Sequence, residues 1–239
     1  MIGLGTIINT AAIVAGGILG KFFGKHISEQ FQTTMSTACG ISTFFIGAAG
    51  TMSGMLSISD GSISSGNSML TVICLVLGAI VGELLNIEKW FESLGEWLKK
   101  KSGNQNDNKF IDGFLTATFT VCIGAMAIVG SIQDGIYGDY SILATKSVLD
   151  LIIVMVMTGS FGVGCSFSAV PVAVLQGAIT LLARFIEPIM TEAALANLSL
   201  IGSILIACVG INLVWGKKVR VANFLPSLIV AVIAAFISF

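Results

Sequence analysis

Residues 151–183 read LIIVMVMTGSFGVGCSFSAVPVAVLQGAITLLA, the longest stretch of the chain without a charged side chain. About 20 apolar residues suffice for one helix to cross the hydrocarbon of a bilayer, so this stretch has room for more than one. Inside it, TGSFGVGCSFSAVP (158–171) sets Gly159, Gly162 and Gly164 ahead of Pro171. That combination interrupts a continuous helix. One span or two in this segment decides the topology of everything after it.

The remaining sequence fixes the class. Uncharged runs also cover 30–59, 61–82, 113–133, 193–216 and 221–239. The chain is 55% hydrophobic and 10% charged, against roughly 25% charged in soluble domains. In lipid only helices and closed barrels satisfy the backbone. A barrel needs alternating polar and apolar residues, whereas LIVAVIAAF (228–236) is apolar on every face. The expected fold is therefore an all-α, polytopic transmembrane helix bundle forming a single membrane domain. Residues 2–20 have no positive segment before them and exceed a signal-peptide core, so they read as a retained first span.

Charge placement favours eight spans. Ten of the twelve Lys and Arg residues fall in three segments: Lys21 and Lys25; Lys89, Lys99, Lys100, Lys101 and Lys109; Lys217, Lys218 and Arg220. Cytoplasmic loops are enriched in Lys and Arg. Spans over 2–20, 35–56, 69–86, 110–131, 141–160, 170–188, 195–216 and 220–238 place the basic loops 21–34, 87–109 and 216–220 on one side, with both termini outside. The other side then carries Asp60, Asp134, Asp139 and Glu192 with only Arg184. Seven spans would put 217–220 opposite the other basic loops. Eight spans thus imply a break within 158–171, either a re-entrant binding element or a slim hairpin.

Other features bound the chemistry. The net charge of −1 leaves no nucleic-acid footprint. Five scattered cysteines and one histidine, His26, show no metal-ligand spacing, so neither metal nor cofactor is expected. No phosphate-binding loop, H-E-x-x-H or Ser/His arrangement occurs, which argues against an enzyme. Ile87, Trp90, Phe91, Leu94, Trp97 and Leu98 recur at helical spacing in 87–101. That pattern fits an amphipathic helix in the membrane interface or a solvated helix joining two halves. A polar linker follows at 102–109. ACGISTFFIG (38–47) and LIGSILIACVG (200–210) share a glycine, an apolar run and a closing glycine, a hint of the inverted repeats common in transporters.

Glycines four residues apart, Gly16, Gly20 and Gly24, then Gly78 and Gly82, mark close helix packing, within one chain or in a homodimer. Polar residues inside spans point to function because hydrocarbon penalises them. Asn9, Asp150, Gln176 and Asn212 lie within predicted spans, and Lys146 shares a helix face with Asp150. The pair is either a structural ion pair or a cation- or proton-binding carboxylate tuned by a lysine. Glu83, Asp112 and Asp134 lie nearer span ends and read as interface charges or weaker site candidates.

GTIINTAAIVAGGILG (5–20), LGAIVGELLNIEKWFESLGEWLK (77–99), FTVCIGAMAIVGSIQDGIYGD (119–139), KSVLD (146–150), PVAVLQGAITLLA (171–183) and GINLVWGKKVRVANFLP (210–226) resemble bacterial domain-of-unknown-function family 554. The resemblance covers essentially the whole chain. It implies a bacterial inner or plasma membrane protein, and motif positions that include Asn9, Glu83, Asp134, Lys146, Asp150, Gln176 and Asn223. It assigns none of them a role. The leading functional expectation is an ion-coupled secondary transporter of a small solute or ion. A homo-oligomeric channel and a non-transporting structural or sensory protein are the alternatives.

Overall fold

The uncharged runs are largely helical in the computed structural model, which describes residues 2–24, 28–59 and 62–237. Lys25, His26 and Asp60 lie outside the described residues. Helix α1 spans Leu4–Gly24, α2 Glu29–Met55 and α3 Ser68–Leu85. A short antiparallel hairpin, β1 (Leu56–Ser59) and β2 (Ser62–Ser65), joins α2 to α3. The amphipathic segment is α4, Ile87–Lys101. Then come α5 (Phe110–Cys122), α6 (Ala125–Tyr137), α7 (Ser141–Phe161), α8 (Ala169–Leu181), the short α9 (Ala183–Ile186), α10 (Glu192–Trp215) and α11 (Pro226–Ala234).

Among the described residues six helices are long and apolar enough to cross a membrane, and α5 with α6 forms a further candidate, bent by 62° at its break. The apolar stretch Val221–Ala234 is shorter. This matches the expected helix bundle of about eight spans. The 158–171 segment turns sharply. Helix α7 stops at Phe161, and Gly162 takes φ +92°, a conformation that disfavours side-chain-bearing residues. A 3-10 turn over Val163–Ser168 leads directly into α8, where Pro171 sits in the first turn and has no intrahelical acceptor to forgo. A second, unforeseen bend falls at Ile123–Gly124, between α5 and α6.

Contacts divide the chain into two compact units. The first comprises Met1–Cys39, Trp90–Cys122 and Met126–Glu187. In it α1 and α7 run parallel and touch backbone to backbone. Gly16 lies against the Leu151 carbonyl, Gly20 against Met155 and Thr158, and Gly24 against Gly159. Steps of four on both helices keep them in register. Small residues permit this approach, which dispersion rather than hydrophobicity must reward in lipid. The bent α5–α6 pair is either a broken span or a re-entrant loop.

The second unit comprises Gly40–Lys89, Ile123–Ala125 and Pro188–Phe239. Gly78 and Gly82 of α3 lie against Ser227 and Asn223. The two segments with similar sequence pack on each other, antiparallel. Gly40 meets Val214, Gly47 meets Ala207, Gly50 meets Ser203 and Gly54 meets Leu200. The matching is mutual, because Gly210 in turn lies against Phe44. Both glycine faces expected from the sequence, on α1 and on α3, are thus occupied by helices of the same chain.

Candidate functional site

Helices α1, α5, α7 and α8 of the first unit bring polar groups to one buried place. The close α1–α7 approach comes first, since it lets the short Asn9 side chain reach across. Asn9 Nδ2 donates to Asp150 Oδ2 at 3.0 Å and to Gln176 Oε1 at 3.3 Å. Lys146 Nζ, one turn before Asp150 on α7, donates to Asp150 Oδ1 at 2.8 Å and Oδ2 at 2.6 Å. It also donates to the Val121 carbonyl of α5 at 2.8 Å. Relative exposures of 7% for Lys146, 3% for Asp150, 1% for Gln176 and 0% for Asn9 place all four inside the protein.

Helix α5 ends at Cys122, so the Val121 carbonyl belongs to a last turn whose acceptors lack intrahelical donors. That end of a helix also carries partial negative charge. An ammonium fits both needs. Ile13, Val121, Val154, Ala169 and Val172 form a buried apolar cluster in the same unit.

A charged side chain at bilayer centre costs about 2.5–3.5 kcal/mol on insertion scales. A buried ion pair is often no more stable than apolar residues of the same volume. Stability alone is therefore a poor reason for Lys146 and Asp150. Two further polar atoms of the cluster, Asn9 Oδ1 and Gln176 Nε2, are buried with no partner among the described residues.

The chain matches the family described as "Protein of unknown function (DUF554)" over residues 4–236. It belongs to that family. It is 30% identical to "Uncharacterized membrane protein YdfK" of Bacillus subtilis (strain 168) over 233 residues, covering 98% of this chain and 96% of the relative. It is 27% identical to "Uncharacterized protein YqgA" of Escherichia coli (strain K12) over 235 residues, covering 95% and 94%. No solved structure matches it.

Elsewhere in this DUF554 chain, the other expected residues serve separate structures. Asn212 closes the end of α10: Nδ2 donates to the Val219 carbonyl at 2.7 Å, and Oδ1 accepts the Lys218 and Val219 amides at 2.8 and 2.9 Å. Asn223 accepts the Glu88 amide at 2.8 Å and donates to Glu83 at 2.6 Å, and Arg220 also donates to Glu83 at 2.6 Å. An open groove of about 580 Å³ in the second unit is lined in part by Glu83, Lys218 and Arg220. Glu88 is buried and pairs with Lys217 at 2.9 Å. Asp112 is exposed in the first turn of α5, where a carboxylate suits the helix dipole. Gly164 lies against the Phe110 carbonyl, and Ser166 against Gly17. With Gly159 on Gly24 and Gly162 at the turn, 158–171 is a packing element beside the polar cluster.

Asp134 is the departure from the sequence reading. It sits near the end of α6 yet is fully buried, with its Oδ2 accepting the Gly5 amide at 3.0 Å. Sequence reasoning also missed the Val121 carbonyl, a backbone group without a side-chain signal, and the contact of Thr6 with Thr180 at 3.4 Å. Thr180 stands four residues after Gln176, and that shared helix face was the available clue.

Proposed function

We propose that this protein is an ion-coupled secondary transporter of a small solute or ion, with Asp150 as the group that binds the coupling proton or cation. The observation that carries the reading is one lysine–aspartate pair, buried at the middle of a membrane-spanning helix and flanked by two amides with unmet hydrogen-bonding capacity. Intramembrane ionisable groups mark ion pathways. Here the ammonium holds Asp150 as a carboxylate until a competing cation or proton arrives. Asn9 and Gln176 supply neutral dipoles that reorient without a charge penalty.

The same reading sets the surroundings. The protein lies in a bacterial inner or plasma membrane, with loops 21–34, 87–109 and 216–220 cytoplasmic and both termini outside. Helix α4 lies in the cytoplasmic interface, where exposed Trp90 and Trp97 suit a headgroup layer. It works as a carrier and not as an enzyme.

The test uses purified protein in proteoliposomes, challenged with panels of inorganic ions, small organic acids and amines while internal pH and charge displacement are recorded. A saturable signal lost in Asp150→Asn supports the carrier. Equal signals from both proteins remove Asp150 from the mechanism. Non-saturating single-channel currents would identify a pore instead.

A further inference from the structure

The open groove of the second unit is built more firmly than a surface loop needs. Helices α3 and α10 are both candidate spans, and the groove lies where they end. Glu83 is in the last turn of α3, and Lys218 follows the end of α10 by three residues. Trp215 closes α10 and is exposed, as suits a side chain at the edge of the hydrocarbon. The loop that carries Lys218 and Arg220 is pinned along its length. Asn212 holds the Lys218 and Val219 amides and the Val219 carbonyl. Glu88 accepts the Ala222 amide at 3.2 Å, and Asn223 bonds to the Glu88 amide and the Glu83 carboxylate. A basic loop that only sets topology needs charge, not a fixed backbone.

The charges at this corner do not cancel. Lys217 pairs with Glu88 at 2.9 Å, and Arg220 pairs with Glu83 at 2.6 Å. Lys218 also lines the groove, is exposed, and has no side-chain partner among the described residues. One positive charge is left over. Arg220 is not spent either. A guanidinium has several N–H donors, and Glu83 engages Nη1, so donors remain beside the free ammonium. The rest of the lining is largely apolar, with Ala79 and Ile80 of α3 and Phe224. Ile80 follows Val76 by one helical turn on the same face. Both are half exposed, at 52% and 51%, so this wall runs on along α3 toward the middle of the span.

We propose that this groove holds an anionic phospholipid, its phosphodiester between Lys218 and Arg220 and an acyl chain along Ile80 and Val76. A phosphodiester is singly charged, which matches the one uncancelled ammonium. Its unesterified oxygens accept from both a lysine and a guanidinium edge. Basic pockets at the ends of spans take acidic headgroups in this way. The groove, about 580 Å³, falls within the roughly 300–1,000 Å³ of small-molecule sites. A free phosphate would leave the apolar wall bare, and a zwitterionic lipid would bring its own cation toward Lys218. Asp150, Lys146, Asn9 and Gln176 take no part, so the site stands independently of the carrier reading.

The test is native mass spectrometry of the full-length protein in detergent, with equal amounts of phosphatidylglycerol and phosphatidylcholine added. Wild type is expected to retain phosphatidylglycerol preferentially. Lys218→Gln should weaken that retention about fivefold, the share of one basic residue at a membrane surface. Lys218→Glu should abolish the preference, and Lys218→Arg should keep it. Ile80→Ser should weaken retention with the charges intact. Lys100→Glu, an exposed position on α4, should behave as wild type. Equal retention of the two lipids by wild type overturns the proposal, as does an undiminished preference in Lys218→Glu. An equal loss in Lys100→Glu would reduce the effect to general surface charge and also overturns it. Displacement of the lipid by inorganic phosphate alone would make the occupant a soluble anion, which overturns the lipid. If Lys218→Glu does not fold, Lys218→Gln decides, and wild-type retention there is fatal. No solute is used, so failure of the carrier reading leaves these outcomes unchanged.

Discussion

Gly16 of α1 lies so close to the Leu151 carbonyl of α7 that a Cβ at position 16 would overlap it. The obstacle is backbone, which cannot rotate aside as a side chain can. Overpacking of this kind costs about 1–3 kcal/mol or more. Gly16→Val is therefore expected to lower the unfolding midpoint in detergent or lipid and to loosen Asn9 from Asp150. Wild-type stability in Gly16→Val would mean that the helices do not meet here.

Lys146 and Asp150 should behave as one unit. Removing a single partner of a buried pair leaves an uncompensated charge and costs about 3–5 kcal/mol. Lys146→Leu and Asp150→Leu are each expected to destabilise strongly, and the double variant to recover most of the loss. A double-variant cycle by denaturant unfolding checks this, and additive single effects would contradict the geometry.

Asn212 holds three backbone groups of the loop after α10. Asn212→Ala leaves one carbonyl and two amides without that partner, a loss of about 0.5–1.5 kcal/mol per hydrogen bond where water can take its place. Faster hydrogen exchange at the Lys218 and Val219 amides is the expected sign. Solute transport should persist, since the bonds of Asn212 all stay within the second unit.

Asp139 precedes α7, where its carboxylate accepts the Ser141 amide at 3.0 Å. Bonds from the Ser141 hydroxyl, then from its amide, hold the carboxyl below its ordinary value. A depressed folded-state value means the stabilisation is complete above the unfolded value, about 3.9, and is lost as pH falls through the folded one. Asp139→Ala should therefore flatten the acid limb of a plot of unfolding midpoint against pH. An unchanged limb would dismiss the contribution.

The proposed arrangement of eight crossings with both termini outside predicts reporter behaviour. A fluorescent protein inserted within 102–108 should mature and fluoresce, while alkaline phosphatase fused after Phe239 should be active. Inactive phosphatase at the C-terminus would demand an odd number of crossings.

The spans were legible because hydrocarbon imposes one rule on every residue they contain. Lys146, Asp150, Asn9 and Gln176 stood out individually as polar residues in apolar runs. Their convergence was not legible, because it depends on the α1–α7 register that backbone contacts at Gly16 and Gly20 create. The break expected within the Gly- and Pro-rich 158–171 is there, between α7 and α8, while the further bend at 123–124 was not foreseen, because a single glycine gives little warning. Asp134 near a helix end resembled a surface charge because sequence position does not reveal that α1 covers it.

One ammonium touches both the Asp150 carboxylate and the Val121 carbonyl, the latter beside the joint of two half-helices inclined at 62°. A change of charge on α7 is therefore also a change of pull on that joint. Neutralising Asp150 frees most of the ammonium's attraction and leaves the end of α5 as its remaining anchor. Electrical state and helix posture are in this way tied by three bonds from one nitrogen, which makes Lys146 a lever arm as well as a counter-ion.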